Sequence, residues 1–230
     1  MRRALSRTLT AVAVAAVTAV GTVTAVAPAG AATTAAAPGC STSIALPARV
    51  SIDQPYQEVP VVLRDTCANE YVYALLAGPK GGEDVFEFDP AVDGDVDFWD
   101  VDGAFTAPGG YAVLESETSS GTPVARTTSV AKYGSKAALG VTRSRSTVAL
   151  RACAAAYDGQ RDAFRPWRGH RATIEQLSAD GRSWRFVRTV TTAADGCATY
   201  TLQNKYRETY RVTNWETPAI WGRTSAAVRS

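Results

Sequence analysis

The stretch Thr147-Val148-Ala149-Leu150-Arg151-Ala152-Cys153-Ala154-Ala155-Ala156 puts Val148, Leu150 and Ala152 on one face and Cys153 on the other when counted with period two. That is the pattern of a half-buried β-strand. A second stretch repeats it, with Ala198, Tyr200 and Leu202 sharing one face and Cys197 the other. Both sulfurs then point away from the apolar side, which predicts a cross-strand staple on the outside of one sheet if the two strands are neighbours.

Working outward, alternating segments bounded by Gly, Pro, Asp and Ser recur about every ten residues, and no stretch after about residue 31 shows a long apolar pattern at helical spacing. Strands are predicted near 41–52, 59–64, 71–76, 85–88, 96–101, 111–115 and 124–130. In the second half they fall near 138–141, 147–156, 172–177, 184–191, 198–202, 210–214 and 225–229. The fold class is all-β, and seven short strands per half is the immunoglobulin-like number. Two tandem sandwich domains are expected, an acidic one at 32–127 and a basic one at 128–230. Tyr111 and Tyr210 each stand just inside a late strand, 99 residues apart, where such a sandwich uses a tyrosine corner.

Residues 1–31 read as a signal peptide: Arg2, Arg3 and Arg7, an Ala/Val/Thr stretch, then small residues at Ala29-Gly30-Ala31. Thr18, Gly21, Thr22 and Thr24 interrupt the apolar stretch and argue against a membrane anchor, so a secreted, extracellular protein without membrane insertion after cleavage is expected. In that compartment four cysteines allow three pairings. Their positions point to Cys40 with Cys67 and Cys153 with Cys197, each bridge adding about 2–4 kcal/mol to its own domain.

The whole chain carries 24 basic and 22 acidic residues, but they are unevenly placed. Residues 32–127 hold 4 basic and 15 acidic side chains, and residues 128–230 hold 17 and 7. A near-neutral mature chain is not a polycation, and no nucleic-acid partner is expected. The asymmetry instead predicts charge-driven association, with the halves packing on one another or joining molecules head to tail.

From about Tyr133 onward, the order Ser146-Thr147-Val148-Ala149-Leu150, Phe164-Arg165-Pro166-Trp167-Arg168-Gly169, Ile174-Glu175-Gln176, Ser183-Trp184, Asp195-Gly196 and Tyr210-Arg211 resembles the bacterial immunoglobulin-like modules of secreted actinobacterial proteins. That resemblance implies an extracellular spacer or binding unit with no common catalytic residues. Val212 stands where antibody domains place the second cysteine after the tyrosine.

Three constellations bear on chemistry. Between Glu83 and Asp102 nine acidic residues crowd together, and Asp93, Asp95 and Asp97 have the one-three-five spacing of an EF-hand loop. Phe98 at position six and Ala104 at position twelve exclude that motif, leaving a looser calcium site or, as the favoured reading, a solvated acidic strand with Val96 and Phe98 turned to the core. Apart from that calcium no cofactor is expected. The second half is rich in arginine and tryptophan, and Arg165, Trp167, Arg168 and Arg171 form a candidate surface for an anionic cell-wall polymer or glycan. Trp184 is expected in the core. The single histidine, His170, reads as an exposed loop residue, and nothing marks a nucleophile or a carboxylate pair. The expectation is a non-catalytic binding or structural protein, with a calcium-dependent exterior protein and a small extracellular hydrolase as the alternatives.

Overall fold

The computed structural model describes residues 41–66 and 71–230. Residues 1–31, Cys40 and Cys67 lie outside these, and with them the signal-peptide and Cys40–Cys67 expectations. The described chain is all-β.

The first half contains β1 (Thr42–Ala45), β2 (Arg49–Ile52), β3 (Tyr56–Asp65), β4 (Val72–Gly78), β5 (Gly81–Phe88), β6 (Val96–Asp102), β7 (Gly109–Thr118), β8 (Val124–Ala125) and β9 (Thr128–Tyr133). One sheet runs β6-β3-β1-β8 and the other β2-β9-β7-β4-β5. Their facing sides enclose one core, whose largest members are Trp99, Tyr111, Phe86 and Phe88. The single strand expected at 41–52 is divided around Pro47. Its first part pairs antiparallel with β3, and its second crosses to the opposite sheet to lie parallel to β9. Proline has no N–H to give a ladder, so the break is where the chain can change sheets.

The second half contains β10 (Ser135–Ser144), β11 (Thr147–Asp158), β12 (Ala163–Pro166), β13 (Arg171–Leu177), β14 (Trp184–Thr191), β15 (Cys197–Gln203), β16 (Thr209–Asn214), β17 (Arg223–Thr224) and β18 (Val228–Arg229). Here β10, β15 and β12 flank β11, while β14-β13-β16 with β17 and β18 form the facing sheet. Val148, Leu150, Ala152, Ile174, Tyr210 and Val212 make the core between them. Four strands thus face five, two more than the seven expected, because short β12, β17 and β18 extend the sheet edges; the two-sheet packing, with late strand β16 beside β13, is immunoglobulin-like.

Cys153 and Cys197 are directly opposed on β11 and β15 and bonded, on the side of the sheet away from Val148 and Leu150. Tyr111 donates from its hydroxyl to the Ala107 carbonyl at 2.6 Å, a buried tyrosine corner. The second tyrosine differs: Tyr210 accepts from the Asn204 side-chain amide at 3.1 Å rather than donating to backbone.

Three expectations are corrected. Strand β9 is hydrogen-bonded to β7 and β2, so the passage between sandwiches falls at Gly134 and not between 127 and 128. Val96 and Phe98 face outward, 48% and 46% exposed, whereas Trp99 and Val101 are buried. The larger indole takes the core, against Tyr111 with ring centroids 4.6 Å apart. Trp184 is outside the second core, lying under the Arg211 guanidinium at 4.1 Å.

The sandwiches meet without a free linker. Gly134 donates to the Ile52 carbonyl at 2.8 Å, and a Cβ there would approach Asp53 Cβ to 2.6 Å. Tyr157, at the end of β11, leaves its own sandwich and is buried in the first core beside Phe164. A Cβ on Gly159 would overlap the Gly103 carbonyl, so only glycine fits where the two backbones cross. Trp221 completes the junction by donating its indole N–H to the Val50 carbonyl at 2.7 Å.

Candidate functional site

Strand β12 delivers the segment Trp167–His170 to one end of the second sandwich, and Thr192 fixes its shape. His170 N–H donates to the Thr192 hydroxyl at 3.0 Å, that hydroxyl donates to the Trp167 carbonyl, and Gly169 N–H reaches the Thr192 carbonyl at 2.9 Å. Gly169 turns the chain with φ of 72°, a conformation that glycine adopts without strain. The Trp167 and His170 rings consequently stack, centroids 3.5 Å apart and 16° from parallel.

His170 is therefore not the exposed loop histidine expected from the sequence. It is 9% exposed, and its Nε2 is buried with no hydrogen-bond partner among the described residues. Burial disfavours the imidazolium and holds its pKa below the ordinary histidine value. Among the described residues no serine or cysteine is hydrogen-bonded to that nitrogen, and Cys153 and Cys197 are bonded to each other.

Opposite this segment, Trp215 leaves the end of β16 and donates its indole N–H to Thr173 Oγ1 at 2.8 Å. The ring is 58% exposed. Between the two segments lies an open cleft of about 460 Å³, lined by Trp167, Arg168, His170, Arg171, Thr173, Thr189, Trp215 and Glu216 among others. Three of the four residues singled out for polyanion binding, Trp167, Arg168 and Arg171, are brought together here. Arg165 lies on β12 and does not line the cleft. Trp215 was legible in principle: Tyr210, Val212 and Asn214 point inward, so period-two counting sends the next residue out.

The acidic segment has another use. Strands β5 and β6 are edge strands of opposite sheets, and aspartates bridge the gap between them. Asp84 accepts the Asp100 N–H at 2.9 Å, and Asp97 accepts the Glu87 N–H at 2.9 Å. Edge N–H groups would otherwise offer pairing to a foreign strand. Burial raises the Asp84 pKa, while the N–H groups of Asp100 and Val85 act in the opposite direction. Asp93 and Asp95 are exposed beyond this bridge, and among the described residues no three His, Cys, Asp or Glu side chains gather to hold a metal ion.

No protein-family model matches the sequence, and no curated protein matches it. Several solved structures are similar at low identity. A Salmonella alpha-2-macroglobulin reacted with methylamine aligns with 83% of this chain at 12% identity and a TM-score of 0.40, and the chain spans 14% of its length. Bovine butyrophilin aligns with 84% of this chain and 98% of its own, at 8% identity and a TM-score of 0.39. The three N-terminal domains of the bacteriophage RB49 highly immunogenic outer capsid protein align with 83% of this chain and 67% of their own, at 11% identity and a TM-score of 0.34.

Proposed function

We propose that this chain is a non-catalytic binding module of the cell exterior, and that the Trp167–Trp215 cleft takes an anionic glycan such as an acidic wall polymer. The observation that carries the reading is the convergence of an exposed indole, a stacked indole–imidazole pair and two guanidinium side chains on one cleft. Aromatic faces suit the apolar side of a sugar ring, and Arg168 and Arg171 suit its carboxylate or phosphate groups, since guanidinium pairs with both in fork geometry. An extracellular setting is supported by the Cys153–Cys197 bridge, because such bonds persist where thiols are not kept reduced.

The test is tryptophan-fluorescence titration of the protein at low salt with polygalacturonate, a polyglycerol phosphate and a neutral β-glucan. Saturable binding of an acidic polymer is expected, lost in Trp215→Ala and in the Arg168→Ala/Arg171→Ala pair, with the neutral glucan inert. Equal binding of the neutral glucan, or binding indifferent to all three substitutions, overturns the proposal, as does no binding of either acidic polymer.

A further inference from the structure

The two sandwiches do not neutralise one another within the chain. Their junction uses the minority charges of each: Arg49 and Lys132 of the acidic sandwich pair with Glu216 of the basic one, at 3.5 and 3.3 Å. Those same two cations also sit over the Trp221 ring, at 3.9 and 4.6 Å. Each of the five ion pairs among the described residues draws its acid from the second sandwich. The junction therefore removes positive charge from the acidic half and negative charge from the basic half, so it sharpens the charge separation.

Each half also leaves an apolar patch uncovered within its own excess charge. On the outer side of β6 and β3, Phe98 lies opposite Pro60 and Val96 opposite Val62. Phe98, Val96 and Val62 are 46%, 48% and 37% exposed. Next along the same face Glu58 lies opposite Asp100, and neither is ion-paired. On the outer side of β13 and β14, Phe186 is 68% exposed and lies opposite Glu175, whose carboxylate is held by Arg211 at 2.8 Å, with Arg211 also over Trp184; exposed Arg185 is the next residue along the edge strand. Contiguous exposed apolar side chains rimmed by charge mark association surfaces.

We propose that copies of this chain associate head to tail, the Phe98 face of one molecule docking on the Phe186 face of the next. The two surfaces match in character: aromatic centre meets aromatic centre, and the Glu58 and Asp100 carboxylates meet a half with 17 basic against 7 acidic side chains, in which Glu175 is already neutralised by Arg211 and Arg185 is exposed at the β14 edge. Because the surfaces differ, docking one copy leaves a free face at both ends, and the contact generates an open row rather than a closed pair. Charge-steered docking weakens as salt shortens the reach of the field.

Sedimentation velocity of the mature protein, at about 20 mM and about 500 mM salt, reads this directly, since the screening length shrinks several-fold between them. The average mass is expected to rise with protein concentration at low salt and to fall toward the monomer at high salt. Phe98→Glu and Phe186→Glu alter exposed positions, and an unchanged melting midpoint checks that each variant folds. Each alone is expected to weaken assembly about tenfold or more, the loss of one central aromatic anchor. Mixed one to one, the two variants are expected to recover a dimer and nothing larger, because each retains the face that the other lacks. Asp100→Arg with Arg185→Glu repeats the logic by charge alone. A wild-type protein that stays monomeric at low salt overturns the proposal. So does assembly that survives either phenylalanine variant, as would a mixture that remains monomeric.

Discussion

Replacing Tyr157 by alanine removes a side chain that belongs by sequence to the second sandwich but is buried in the core of the first. The ring is 4% exposed and packs edge-on against Phe164, centroids 5.5 Å apart. Deleting a buried aromatic ring costs about 3–5 kcal/mol. The lost hydroxyl also donates to Asp162 at 2.6 Å, but that carboxylate is exposed and water replaces the partner at little cost. For a cooperative unit of this size, about 2–4 °C of midpoint is lost per kcal/mol, so the fall should be about 10 °C. Because the ring anchors a strand of the second sandwich in the core of the first, wild-type protein should unfold in one calorimetric transition, with calorimetric and van't Hoff enthalpies equal. The variant should separate it into two. Leu150→Ala, in the second core alone, is the control: it lowers the midpoint without splitting the transition. Two transitions in the wild type, or a Tyr157→Ala midpoint within about 1 °C of it, would show that the sandwiches fold independently and refute the coupling.

Removing the Cys153–Cys197 bridge by a double alanine substitution should lower stability by about 4 kcal/mol in urea titrations, from the closure entropy of a loop with a sequence separation of 44; a loss below about 1 kcal/mol would contradict it. Tyr111→Phe leaves the Ala107 carbonyl buried without its donor and should cost about 1–3 kcal/mol in the same assay, against little effect for Tyr206→Phe, whose ring is exposed. Burial lowers the His170 pKa, so the unfolded chain takes up its proton first as pH falls. Stability from this group is present above the ordinary histidine pKa, about 6.5, and is lost as pH drops through the lower folded value. Melting curves between pH 7.5 and 5 should show that loss in the wild type and a smaller one in His170→Gln; equal slopes would remove His170 as the cause.

The parts of the fold legible in the sequence are those where one phase of the period-two pattern is apolar and the other is not. In β11, Val148, Leu150 and Ala152 face Arg151 and Cys153, so the inward face and the outward sulfur follow from counting, and register with β15 then sets the bridge. Strand β6 offers no such contrast. Val96 and Phe98 in one phase compete with Trp99 and Val101 in the other, and the choice is made by packing against Tyr111, a residue on a different strand. The candidate site was half legible for the same reason. Arginine beside tryptophan in Trp167-Arg168-Gly169-His170-Arg171 signals a surface that can hold anions. The burial of His170, however, depends on a stack with Trp167 and on Thr192, 22 residues away. Tyr157 is the extreme case. The inward phase of β11 runs through Ala152 and Ala154, and nothing local indicates that the strand would hand its next large side chain to another core. What made that transfer sterically available was the pair of glycines at 103 and 159, whose missing side chains let the two backbones cross. A junction of that kind fixes the relative orientation of the acidic and basic faces. The charges it consumes are the minority ones of each half, Arg49 and Lys132 against Glu216, so the contact rests on backbone fit and the buried Tyr157 ring rather than on the bulk of the opposite charges.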